Sequence, residues 1–183
     1  IMYDVVFKRQ IDCKHPDTLT AWINAQKIKN NDERAPFVDK IVAKDTISKM
    51  IGSKYVTPVL WSGKNPEDIP FSELPYPVIV KTNHGSGRNI VLDSLGSTNE
   101  TDVIEGLRTT LNRRHEIYLR ERFYDCIDPK ILIESILKDS RGKILDDYKV
   151  HMINGEVQFI QIIHDRLGNY GQCFYSPDWG RIY

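Results

Sequence analysis

Lys81 closes the apolar run Pro77-Val78-Ile79-Val80 and is followed by Thr82-Asn83-His84-Gly85-Ser86-Gly87-Arg88. A strand that delivers one lysine at its end, just before two glycines, suits a polyphosphate. Without side chains at Gly85 and Gly87, backbone N–H groups can come close to the anion. Lysine adds a compact point charge. His84 could donate to the same phosphate or move a proton near neutral pH, and phosphate contact is the favoured reading. The run is neither GxxxxGK followed by Ser or Thr nor GxGxxG, so neither motif's mechanism applies. A glycine-containing hairpin loop taken alone is more often a plain turn.

Other charged residues have local readings of their own. Lys40, in Asp39-Lys40, stands where a helix begins, and its long side chain could reach into a cleft. A lysine on an amphipathic helix is otherwise a solvated group, and the same holds for Lys44 and Lys49. Glu134 follows the apolar run Ile131-Leu132-Ile133 and reads, by itself, as a strand-end carboxylate paired with a nearby lysine or arginine. His15, His115, His151 and His164 show no metal-ligand spacing.

The elements that must position these groups are legible from periodicity. Leu19, Trp22 and Ile23 predict a helix from Asp17 to about Ile28, and Val38, Ile41, Val42, Ile47, Met50 and Ile51 predict a second one ending at Gly52. A short strand is expected around Thr57 to Trp61. Pro77 to Lys81 and Asn89 to Asp93 read as a hairpin with Lys81 at its tip. Ser97-Thr98-Asn99-Glu100 resembles a capping box, and Val103, Ile104, Leu107 and Leu111 carry that helix to about Arg114, covering one sheet face. Ile131 to Ile136 is a compact strand.

Asn154-Gly155 is the strongest hairpin signal in the chain, between Asp147–Ile153 and Glu156–Ile163. An uninterrupted ladder pairs Ile153 with Glu156, His151 with Gln158 and Lys149 with Ile160. Val150, Met152, Val157 and Phe159 then form the core face. Asp147, Lys149, His151 and Gln158 share the other face with Ile160 and Ile162, which suits either a binding cleft or a solvated surface.

Composition narrows the class. The 183 residues are 40% hydrophobic, enough for an ordinary core, and 25 Lys plus Arg balance 25 Asp plus Glu. With no net charge, nothing points to a nucleic-acid or membrane surface, and any anion site must be local. Cys13, Cys126 and Cys173 are odd in number and far apart, which fits reduced thiols. Neither a membrane span nor a signal peptide is apparent, so the cytoplasm is the expected location.

From Asp39 to Arg166 these pieces resemble, in order and spacing, the ATP-grasp superfamily. A helix opening with Asp39-Lys40 precedes a strand ending in Lys81, and in that superfamily both lysines contact ATP phosphates. Asn83 to Arg88 looks like its mobile glycine-rich loop. Glu134-Ser135-Ile136-Leu137 looks like its adenine-reading hinge, and Asp147 matches in position the acid that binds ribose hydroxyls. A carboxylate suits that task because it accepts two hydrogen bonds from vicinal hydroxyls. A narrower resemblance is to the TupA-like branch of bacterial cell-surface polysaccharide loci. It is carried by Val80 to Gly87, Asp147-Tyr148-Lys149, Asn154-Gly155, His164-Asp165-Arg166 and Tyr175 to Trp179.

The resemblance implies an α+β ATP-grasp fold, with two lobes of antiparallel sheet plus helices around a nucleotide. The expected organisation is one domain, 1–183, comprising a helical N-terminal segment over residues 1–76, a small ATP-binding lobe over 77–130 and the start of a second lobe from 131. Implied cofactors are ATP and Mg2+, and the implied activity is that of a carboxylate-amine ligase. Lys40, Lys81 and Lys149 are then the phosphate cations, with Ser86 in the loop. Arg166 is a candidate for a substrate carboxylate or the γ-phosphate, or else a surface salt bridge. The superfamily's Asp, Glu and Asn metal set is not found. After the second hairpin only Asp165 and Asp178 remain, so the chain reads as truncated or degenerate relative to the family. Two other classes stay open: a glycosyltransferase or kinase acting on a surface polysaccharide, and a non-catalytic nucleotide-binding or partner-binding module.

Overall fold

Ile131, Leu132 and Ile133 are fully buried, and the strand that carries them runs through the middle of the first of two compact units, Ile1–Ser135 and Ile136–Tyr183. The computed structural model describes residues 6–28, 33, 35–85, 89–112, 122–165 and 168–182.

The first unit begins with helices α1 (Leu19–Ile28), α2 (Ala35–Val38) and α3 (Lys40–Ile51). Strand β1 (Val59–Gly63), the hairpin of β2 (Val78–Thr82) and β3 (Ile90–Leu92), helix α4 (Glu100–Leu111) and strand β4 (Ile131–Ser135) follow. The sheet order is β1-β4-β2-β3, with every neighbour antiparallel. In β2, Val78, Val80 and Thr82 are buried while Ile79 and Lys81 are half-buried, the period-2 pattern of a pleated strand. Val80 opposite Ile133 and Thr82 opposite Ile131 set one face against α4, where Val103 and Leu107 complete a core with Ile69, Phe71, Leu74 and Leu92. Each such side chain contributes about 1.5–3 kcal/mol by leaving water. The same alternation puts Ile79, Lys81, Leu132 and Glu134 together on the opposite face.

Helix boundaries follow from caps. Asp39 Oδ1 accepts from the N–H groups of Ile41 (2.8 Å) and Val42 (3.2 Å), and α3 ends at Gly52, whose φ of 103° no L side chain adopts readily. No α3 residue is fully buried. The start of α4 differs from the capping-box expectation. Asn99, not Ser97, is the cap, accepting from Thr101 N at 2.9 Å, because α4 starts at Glu100 and Ser97 lies two residues ahead of the cap position.

In the second unit, β5 (Asp147–Ile153), β6 (Glu156–His164) and β7 (Gly171–Tyr175) form an antiparallel sheet in that order. Asn154 (φ 53°) and Gly155 (φ 85°) both take the left-handed backbone that a two-residue type I′ turn needs. Ile153 faces Glu156 as expected, but a bulge between His151 and Met152 then slips the ladder by one residue. His151 faces Phe159 and Lys149 faces Gln161, instead of Gln158 and Ile160. A slip of one residue exchanges the two faces of a strand. The expected core face is therefore corrected: Val150 faces Ile160 and Tyr148 faces Ile162, and it is Ile160 and Ile162 that are buried while Val150 and Met152 are exposed. No disulfide joins Cys13, Cys126 and Cys173. Among the described residues, no helix is long and apolar enough to cross a membrane.

Candidate functional site

Lys81 stands opposite Leu132 and Glu134 opposite Ile79, so the two charged residues are diagonal neighbours on one face of the pair β2–β4. Long side chains bridge that diagonal. Lys81 Nζ lies 2.7 Å from Glu134 Oε2. Lys44 reaches the same carboxylate from α3, with its Nζ 2.5 Å from Glu134 Oε1, and also donates to the Thr57 carbonyl at 2.8 Å. The Glu134 side chain is 4% exposed, against 24% for Lys81 and 21% for Lys44. Burial, the largest single influence, works against the Glu134 charge. Hydrogen bonds and charge from Lys44 and Lys81 outweigh it and hold the carboxyl below its ordinary range.

Lys40 sits one helical turn before Lys44 and so projects from the same side of α3. Its Nζ donates to the carbonyls of Gly85 (2.7 Å), Thr82 (2.9 Å) and, at 3.5 Å, Asn83, which spends all three ammonium hydrogens on the loop backbone. Burial lowers the pKa of Lys40, and the positive charge of Lys81 lowers it further against the opposing pull of Asp39 and Glu134. The loop itself turns at Gly85, with φ 75°, after Thr82 Oγ1 donates to the His84 carbonyl at 2.8 Å. His84 is buried.

Asn83 holds these parts in place. Its side chain is 1% exposed; Nδ2 donates to Asp39 Oδ2 and to the Asp128 carbonyl, each at 3.0 Å, and Oδ1 accepts from Lys130 N at 2.7 Å. Its backbone N–H donates to the Lys130 carbonyl, and its own carbonyl accepts from Lys40 N. One buried amide therefore ties together the start of α3, the end of β2 and the approach to β4, the three segments that carry Lys40, Lys44, Lys81 and Glu134.

Among the described residues, three ammoniums thus gather against the carboxylates of Glu134 and Asp39. Among them, Lys40 is saturated by backbone and Lys44 is shared between Thr57 and Glu134. Lys81 has Glu134 as its acceptor among the described residues, so it is the cation best placed to turn towards a phosphate. A surface depression lined by Lys64, Glu67, Arg108 and Asn112 shares no residue with this cluster, and its opposed charges, Glu67 and Arg108, are bonded to each other.

The remaining residues singled out in the sequence fall elsewhere. Ser135 pairs with Val78 at the end of β4, while Ile136 and Leu137 open the second unit, Leu137 with its side chain exposed. Asp147 begins β5 opposite Ile163, and Lys149 is exposed on the same strand. Ser86, Gly87, Arg88 and Arg166 lie outside the described residues. Asp146, not singled out in the sequence, bonds His164 Nδ1 at 2.6 Å, and that contact holds its carboxyl below the usual range.

A Mg2+ site needs several hard oxygen donors. Among the described residues no three His, Cys, Asp or Glu side chains gather as such a set. Glu134 is bound by two ammoniums, Asp165 accepts from Asn169 N in a turn, and Asp178 is bonded to Ser176 Oγ. The described residues do not fit a carboxylate-ligated Mg2+ site. A lysine beside a glycine turn, as at Lys81 and Gly85, is chemistry compatible with an anionic group.

The TupA-like ATPgrasp family matches residues 20–183, and the chain belongs to that family. Its fold class is α+β, with helices and two antiparallel sheets. No curated protein and no solved structure matches the chain.

Proposed function

We propose that the lysine cluster of the first unit binds the polyphosphate of ATP, and that the chain is the ATP-binding portion of a carboxylate-amine ligase. The observation that carries this reading is the meeting of Lys81, Lys44 and Glu134 beside a loop braced by Lys40, in a chain whose family is ATP-grasp. In such a ligase a carboxylate oxygen attacks the γ-phosphorus and ADP leaves. An amine then attacks the acyl carbon, and inorganic phosphate leaves. What this chain supplies is positioned charge: Lys81 offsets the negative charge of the phosphoryl group in transfer, and Lys40 braces the backbone from Thr82 to Gly85 beside it.

Finer assignments rest on the resemblance: Glu134 to Leu137 as the adenine hinge, Asp147 for ribose, Lys149 for phosphate and Arg166 for a substrate carboxylate. So does the setting in cell-surface polysaccharide synthesis.

Hydroxylamine trapping separates the alternatives. A ligase incubated with ATP and a panel of sugar and amino-acid carboxylates forms ADP, and hydroxylamine captures the acylphosphate as a hydroxamate. A kinase leaves a stable phosphorylated product with no hydroxamate, a glycosyltransferase turns over a nucleotide-sugar instead, and a binding module consumes no ATP. Any of these three results refutes the ligase reading.

A further inference from the structure

Glu134 poses a physical problem for phosphate binding. Its carboxylate is almost fully buried and ionised, so it cannot be left without a counter-charge. If Lys81 were its sole cation, drawing Lys81 towards a phosphate would strand a buried negative charge, and the carboxylate would compete with the ligand for the lysine. Lys44 removes that conflict. It takes the oxygen that Lys81 does not, Oε1 against Oε2, and it is anchored by the Thr57 carbonyl, a backbone group that keeps its ammonium in place.

We infer that Lys44 is a positioning residue. It keeps Glu134 neutralised while Lys81 is handed over to an incoming polyphosphate, and it acts on the ligand through Glu134 and not by touching it. The inference rests on the reading of this cluster as an ATP site. Among the described residues Lys44 has two acceptors and Lys81 one, and this asymmetry gives the inference its direction: the anion that enters takes Lys81. Glu134 thereby acts as a seat for Lys81 in the empty protein, holding the cation in place before the ligand arrives.

A double-mutant cycle tests this, with ATP and inorganic tripolyphosphate as probes and calorimetry on the whole chain as the readout. Lys44→Met should weaken binding of both probes about tenfold, the effect of an ordinary coupling between contacting residues. Lys44→Arg, which can span the same two acceptors, should restore binding to within about twofold of the unmutated chain. In the Glu134→Gln background there is no buried charge to hold, and Lys44→Met should cost no more than about threefold.

An equal loss in both backgrounds would show that Lys44 meets the ligand or supports the fold in general, and would overturn the inference. So would an unchanged affinity in Lys44→Met. If Lys44→Met does not fold, Lys44→Arg alone decides, since a loss of tenfold or more there contradicts the role. Failure of the underlying reading looks different: the unmutated chain then binds neither ATP nor tripolyphosphate.

Discussion

Lys81 Nζ and Glu134 Oε2 meet at 2.7 Å across 53 positions of sequence. The antiparallel pairing of β2 with β4 makes the contact, because it sets the two residues on the diagonal of one face while Val80 and Ile133 fill the other. Core packing and site geometry are thus two faces of the same pair of strands.

Acid should act on this site through Glu134. Its carboxyl is held below the ordinary value of 4.5, so its stabilising contribution is fully present above that pH and is lost as the pH falls through the lower value of the folded state. Urea unfolding of the unmutated chain from pH 6 downwards should show stability falling below about pH 4.5. Glu134→Gln, which has no such proton to take up, should be less stable at pH 7 and flatter across the acid range. An acid limb of equal steepness in the variant would contradict the assignment.

Asn83→Ala removes the three bonds by which the Asn83 side chain ties the start of α3 and the segment 128–130 to the end of β2. Leaving Lys130 N without its acceptor inside the fold costs about 1–3 kcal/mol, and the loss of the remaining bonds should bring the total to about 3 kcal/mol in urea unfolding. A change under about 0.5 kcal/mol, the usual size of a surface substitution, would show that the amide is dispensable.

Ile133→Ala tests the other face. Ile133 is fully buried between β1 and β2 against the α4 core, and truncation there should cost about 2–5 kcal/mol. Its side chain points away from Lys81 and Glu134, so ATP affinity measured well below the melting temperature should stay within about twofold. A large loss of affinity with the fold intact would couple core and site in a way the register does not suggest.

Much of this is legible in the sequence because the signals are local. A lysine at the end of an apolar strand, a compact run before Glu134, and Asn-Gly between alternating segments each declare their element without reference to distant chain. The reading of Glu134 as a strand-end carboxylate paired with lysine also holds.

Lys44 cannot be told from any solvated helix lysine by sequence, since its role depends on where α3 lies against the sheet. The one trace of it is its spacing of four from Lys40, which puts both on one side of the helix. Asn83 reads as one more loop residue because its partners, Asp39, Asp128 and Lys130, are far away in sequence. The bulge beside His151 carries no glycine or proline to mark it, so counting back from the turn goes one residue astray. Strand β7 is silent for a related reason: only pairing with β6 defines it.

The most direct test is calorimetric titration of ATP into the unmutated chain and into Lys81→Ala, with circular dichroism confirming that both are folded. Among the described residues Lys81 is the cluster's cation with the fewest acceptors, so the unmutated chain should bind and the variant should bind about tenfold more weakly or worse. Equal affinity in the two proteins would contradict the central claim that Lys81 meets the phosphates.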